Sequence, residues 1–187
     1  MYMDPQCDRC ALSKDRINIV HGEGSSDARI MFIGEAPGAF EDVAGRPFVG
    51  RSGKILRQVM DEVGLDSSVV YITNVVKCRP PENRTPKATE IRSCLPNLME
   101  EIYKVDPDLI VFVGRTSAHG VTKMNFNMER DTGSSFRWKE WNCVVIYHPG
   151  WIIRALNVRR PILERELRLV ASHVKPSKRP RGLEKWI

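Results

Sequence analysis

The chain has 187 residues, 42 % of them hydrophobic and 28 % charged, which suits one globular domain and excludes a disordered chain. The net charge of +6 is local: residues 154–187 hold ten Lys/Arg against three Glu, a net of +7, leaving −1 on residues 1–153. That basic end fits either a polyanion such as nucleic acid or a solvated helix face with a loose tail. No apolar run approaches the roughly 18 residues of a membrane span, and MYMDPQCDRC has no apolar secretory stretch, so an intracellular protein without a membrane partner is expected.

The elements alternate in period along the chain. ARIMFIGE (28–35) is a short apolar run ending at Gly34, as a buried strand does. SGKILRQVMDEVGL (52–65) places Ile55, Leu56, Val59, Met60 and Val63 at helical spacing, with Ser52 as the cap and Gly64 as the stop. VVYITNVVKC (69–78) is β-branched and reads as the second strand. Thr85-Pro86 opens a helix through Ile91, Leu95, Leu98 and Ile102, which Pro96 is expected to kink or split. PDLIVFVG (107–114) is a third strand, followed by a short helix over RTSAHGVTKM. FRWKEW to CVVIYHPG reads as a hairpin whose second arm is the fourth core strand. Pro161 opens a last helix with Leu163, Leu167, Val170 and Val174 on one face, and KPSKRPRGLEKWI has no period. Strands alternating with helices imply an α/β fold: one three-layer domain over residues 1–175, with a central, mainly parallel four-stranded sheet between helices, and a basic tail over 176–187. Such sheets carry their sites beyond the carboxyl ends of the strands. GEAPG, KCRPPENRTP and HPGW lie there and are expected to share one rim.

Five cysteines punctuate this pattern. Cys7 and Cys10 form a C-x-x-C turn, and fifteen residues separate Cys78 from Cys94. Together the four suit a tetrahedral zinc or an iron–sulfur cluster; the alternative is an isolated turn with two unrelated core cysteines. Cys143, inside the strand-like WNCVVIYH, reads as a small buried hydrophobe. The stretch GEAPGAFEDVAGRPFVGRSGK (34–54) combines glycines, which admit close backbone approach, with Glu35, Glu41, Asp42 and Phe48. It is neither a P-loop nor a dinucleotide fingerprint, because Ile55 follows Gly53-Lys54. A ligand loop and a plain turn both remain open on these residues alone.

The order GEAPG, ED, GRPFVG, ITNVVKCRPPENRTP, YHP, together with the C-x-x-C, Cys78, Cys94 pattern, resembles the iron–sulfur uracil-DNA glycosylases, family 4 of their superfamily, over residues 7 to about 160. The resemblance implies a uracil-DNA glycosylase-like fold. It also implies a monomeric DNA repair enzyme that flips uracil from DNA and hydrolyses its N-glycosidic bond, leaving an abasic site. It implies a 4Fe-4S cluster on Cys7, Cys10, Cys78 and Cys94. Phe48 then stacks on the base, Asn74 reads its edge, and Ala36 and His148 complete the uracil pocket. His148 faces uracil O2, where negative charge grows. Among the carboxylates, Glu35 is the direct participant, while Glu41 pairs with Asn83 to brace the loops.

The sequence departs from the family pattern after the histidine, where Gly150 replaces the usual Ser or Ala. Trp151 and Ile152 are expected to wedge into the duplex, with Arg154 beside them. One related branch traps its product covalently through a basic insertion ending in His. No such insertion lies between Cys78 and Cys94, so turnover by water is expected. The rivals are a superfamily member excising hypoxanthine or xanthine, and a metal-stapled nucleic-acid-binding module. The sequence identifies no replication or repair protein as a partner.

Overall fold

The structure is a computed structural model describing residues 6–173. The expected domain end at 175, the tail 176–187 and Val174 lie outside the described residues. In chain order the elements are β1 (Glu23–Gly24), β2 (Ile30–Gly34), α1 (Ala39–Ala44), α2 (Arg51–Glu62), β3 (Val70–Asn74), α3 (Ala88–Val105), β4 (Leu109–Val113), α4 (Arg115–Thr122), α5 (Met128–Asp131), β5 (Ser135–Trp138), β6 (Trp141–Ile146), α6 (Pro149–Ile152) and α7 (Leu156–Ser172).

One sheet runs β1-β3-β2-β4-β6-β5. Its four inner strands are parallel, as the alternation of strands and helices predicts. The strand count is six rather than four, because β1 and β5 add antiparallel edges. β1 has two residues, too few to show a period, and β5 is the outer arm of the expected hairpin. The inner strands are buried on both faces, which is why they read as continuous apolar runs rather than alternating ones. Period two still divides them. Met31, Ile33, Ile110, Phe112, Cys143 and Val145 pack with Ile91, Leu98 and Ile102 of α3. Ile30, Phe32, Leu109, Val111, Val144 and Ile146 pack with Leu56 and Val59 of α2 and Leu163, Leu167 and Val170 of α7. The result is a helix–sheet–helix sandwich.

Three helix expectations are corrected. α2 starts at Arg51 with Gly50 as its cap, so Ser52 is free to face the site. Gly64 does end α2, at φ +81°, with Leu65 N donating to Met60 O at 2.9 Å. α3 runs unbroken through Pro96, and α7 starts at Leu156 and runs through Pro161. In both cases the proline and the residue four before it (Arg92 and Asn157) are exposed. Water can therefore satisfy the carbonyl that the missing N–H leaves unpaired.

Candidate active site

The carboxyl ends of β2, β3 and β6 meet at one rim, as the topology requires. Gly34 pairs with Asn74 across β2 and β3. A Cβ on Gly34 would overlap both Asn74 Oδ1 and the Phe48 ring, so the glycine lets these side chains close over the strand end. Together with Glu35, Ala36, Glu41, Ser52, Asn83, Arg84 and His148 they line a cavity of about 290 Å³. All the residues expected to read or cleave the base thus converge.

Phe48 is held in place at a cost. Its φ of +55° is rare for an aromatic residue, worth about 1–3 kcal/mol of strain. Two neighbours impose it. Gly53 admits the Phe48 backbone where a Cβ would collide with it. Arg57 donates from Nε to Phe48 O at 3.0 Å and from Nη2 to Pro47 O at 2.7 Å. Glu23, reaching over from β1, pairs with Arg57 and with Arg46.

The two glutamates have different surroundings. Glu41 is buried, and its oxygens accept from Gly38 N at 3.1 Å, Val49 N at 3.0 Å and Gly50 N at 2.7 Å. It ties the GEAPG loop to the GRPFVG loop. The expected Glu41–Asn83 pair is not formed, because Asn83 Oδ1 accepts from Arg79 Nε at 2.8 Å. Asn83 instead lies at the pocket edge, in a turn where Glu82 and Asn83 both have positive φ. The Glu35 carboxylate and the Asn74 side-chain amide open onto the cavity; among the described residues the one fully buried side-chain polar atom without a partner is Trp141 Nε1, away from this site.

His148 caps α6, and its Nδ1 accepts the Gly150 N–H at 3.0 Å. A backbone N–H only donates, so Nδ1 is unprotonated and a neutral ring carries its proton on Nε2. Burial lowers the His148 pKa from 6.5, with the Glu41 carboxylate pulling weakly the other way. Gly150 makes this contact possible, since a Cβ there would stand 2.9 Å from Nδ1. From the other side, Tyr147 N donates to Glu166 Oε2 at 3.2 Å. Burial raises the Glu166 pKa, opposed by its bonds from Thr132 and Tyr147.

The expected wedge is corrected at Ile152. Ile152 is fully buried in the core, where α6 packs on α2 and α7, and no part of it reaches a duplex. Trp151 stacks on Tyr147 at 4.2 Å, with the Arg159 guanidinium 3.9 Å from its other side, and Arg159 also donates to Trp151 O at 2.8 Å. Trp151 is half-buried, so of the expected pair only Ile152 is overturned by its burial in the core. Arg154 alone of the three is exposed.

Away from the pocket, the N-terminal segment crosses toward β3 and α3. Cys78 and Cys94 are buried and Cys7 and Cys10 half-buried, and Cys10 packs on the core beside Cys78 and Cys94. Three N–H donors point at three of the sulfurs. They are Arg9 Nε to Cys7 at 3.5 Å, Arg16 Nη1 to Cys78 at 3.5 Å, and Asn97 Nδ2 to Cys94 at 3.8 Å. Burial pushes the Cys78 thiol up to about 11 while Arg16 pulls it down. Among the described residues no three His, Cys, Asp or Glu side chains are placed to hold a single metal ion. Cys143 is fully buried, and burial pushes its thiol up to about 12, as a core residue requires.

The motifs did not disclose Ser52, Arg84 or Lys77. Arg84 lines the pocket while its guanidinium grips buried Glu90 at 2.7 and 2.9 Å. Lys77 had a visible signal, a lone charge in the apolar run VVKC. Its meaning depends on Glu101, which is distant in sequence.

The model of the Uracil DNA glycosylase superfamily matches residues 21–172. A type-4 uracil-DNA glycosylase of Saccharolobus solfataricus is 42 % identical over 174 residues, covering 88 % of this chain and 80 % of the relative. The type-4 enzyme of Pyrobaculum aerophilum is 48 % identical over 156 residues, covering 79 % and 80 %, and that of Thermotoga maritima is 40 % identical over 163 residues, covering 85 % of each. Matched over most of its length by the family model and by these relatives, the chain belongs to the uracil-DNA glycosylase superfamily.

Proposed function

We propose that the chain excises uracil from DNA by hydrolysing the N-glycosidic bond, leaving an abasic site. The observation that carries this reading is the convergence of Asn74, Phe48, His148 and Glu35 on one cavity. The Asn74 amide opens onto the cavity rather than into the packed core, so its donor and acceptor are available to a ligand. A base enters only after leaving the stack. The Phe48 ring packs on its face. The Asn74 amide donates to O4 and accepts from N3–H, a pattern that cytosine reverses.

Bond breaking leaves charge on the departing uracil and an oxocarbenium-like sugar. His148 donates from Nε2 to O2 as negative charge grows there. Glu35 orients the water whose oxygen bonds to C1′ as the C1′–N1 bond breaks, and receives its proton. Glu41 is unsuited to that task because its oxygens are already shared among three N–H donors; it shapes the loops.

Cys7, Cys10, Cys78 and Cys94 would hold the 4Fe-4S cluster implied by the family. What supports this is the chemistry of the donor set: four thiols, with N–H groups of Arg9, Arg16 and Asn97 aimed at three of the sulfurs, the kind of contact that tunes cluster sulfurs. The cluster, when bound, supplies a cross-link between the N-terminal segment, the loop after β3 and α3.

The test is excision from matched duplex oligonucleotides carrying U, T, C or hypoxanthine, read as strand breaks after alkali. Breaks at U and not at T or C are expected. Breaks at hypoxanthine alone would replace uracil as the substrate, and none on any strand would leave a binding module.

A further inference from the structure

Lys77 is 99 % buried, which is exceptional for a lysine, and its ammonium makes three short contacts. Nζ donates to Thr73 Oγ1 at 2.5 Å, to the main-chain carbonyl of Asn74 at 2.8 Å and to Glu101 Oε2 at 2.6 Å. Thr73 Oγ1 also donates to Glu101 Oε2 at 2.7 Å, and Glu101 Oε1 accepts from Gly22 N at 3.2 Å. The network closes around the end of β3, where Val75 and Val76 leave the sheet by donating to Gly34 O and Glu35 O. The carbonyl of Asn74 is therefore fixed by an internal cation, and its side chain faces the cavity from a pinned backbone. A fold needing only a buried contact here would use an apolar residue, because desolvating an ammonium is costly and is offset only by good geometry.

We infer that Lys77 is a positioning residue for base recognition: the buried Lys77–Glu101–Thr73 network sets the orientation from which Asn74 reads the base. The same network joins the pocket to α3. Asn97 and Glu101 follow Cys94 at helical spacings of three and seven, on one face of that helix. Lys77 precedes Cys78 directly. The inference rests on the uracil reading of the pocket and adds the group that holds its main reader.

The experiment uses Lys77→Met, which keeps the length of the stem and removes the charge. Two quantities are measured on full-length protein at a temperature where the variant is folded by circular dichroism. One is inhibition by free uracil, which needs the base pocket and no DNA contact. The other is affinity for duplex carrying an abasic-site analogue, which offers Asn74 no base. Lys77→Met is expected to weaken uracil inhibition about tenfold, the scale of a lost charge-assisted hydrogen bond, with abasic-DNA affinity unchanged. Thr73→Val and Glu101→Gln are expected to show the same selective loss at about two- to threefold, and they carry the test if Lys77→Met does not fold. Unchanged uracil inhibition, or equal loss of uracil inhibition and abasic-DNA affinity, would overturn the inference. A wild-type protein that ignores uracil would instead overturn the reading beneath it.

Discussion

The base pocket and the cysteine corner treat their polar groups in opposite ways. In the pocket, the Asn74 amide and the Glu35 carboxylate open onto the cavity, and the His148 Nε2 proton is left over once Nδ1 is engaged. In the corner, Arg9, Arg16 and Asn97 already aim N–H groups at sulfur. A transient, neutral guest calls for donors and acceptors kept vacant until it arrives. A permanent, negatively charged resident, as the proposed cluster would be, calls for donors fixed in advance. The neighbours of the vacant groups are the opposite of vacant: Glu41, Arg84 and Lys77 are all tied off within the protein. The fold holds them rigid so that the few free groups stay aimed.

The largest effect that would sharpen this contrast is on the pocket side. His148→Ala removes the donor proposed for the developing uracil anion and should lower the single-turnover rate by about 10²–10³-fold, while the lost α6 cap lowers the melting temperature by only a few degrees. A loss under tenfold would mean that the leftover proton is not used. On the corner side, Cys78→Ser should abolish the yellow-brown colour and the iron content and lower the melting temperature by about 10 °C, which is several kcal/mol for a chain of this size. Cys143→Ser should keep the colour. A colourless wild-type protein with one zinc would break the comparison at the corner while leaving the pocket intact.

A finer effect concerns pH. In the proposed mechanism the neutral His148 ring is the donor, and burial lowers its pKa below 6.5. Excision should therefore stay level from pH 8 through 6.5 and fall only as pH drops through the depressed value, where protonation of Nδ1 breaks the Gly150 contact. Stability shifts in the same direction, because the unfolded ring takes up a proton at a higher pH than the folded one. A rate that rises with falling pH would identify a charged imidazolium instead. The smallest effect is at Glu166, whose raised pKa means that ionisation opposes folding. Glu166→Gln keeps an acceptor for Tyr147 N and a partner for Thr132. Its stability relative to wild type should improve as pH rises through the Glu166 titration, by under about 1 kcal/mol. A constant difference across that range would place the titration elsewhere.

Much of this was legible in the sequence because it depends on local chemistry. The four parallel strands follow from apolar runs bounded by turns, and the meeting of GEAPG, ENR and HPG at one rim follows from parallel topology. What was not legible depends on pairing at long range. Glu41 was expected to pair with Asn83, and only the folded loops show that it takes Gly38, Val49 and Gly50 instead. Trp151 and Ile152 looked like a wedge because an apolar pair after a motif is as suitable for the core as for DNA. The packing of α6 decides for the core at Ile152, while Trp151 stays half-buried against Tyr147 and Arg159. Pro96 suggested a kink and Pro161 a helix start because sequence does not show which helix side faces water. Lys77 needed Glu101 to have a meaning.

The central claim is that the pocket's vacant groups read uracil, and Asn74 tests it most directly. Single-turnover excision of U and of C, each in otherwise identical duplexes, compares wild type with Asn74→Asp. Wild type should act on U and leave C intact. The variant should lose at least about 10²-fold on U, because a carboxylate accepts where O4 needs a donor and leaves buried polar groups unmatched. Any activity it gains on C would come from its protonated form. Undiminished uracil excision by a folded Asn74→Asp protein would contradict the account.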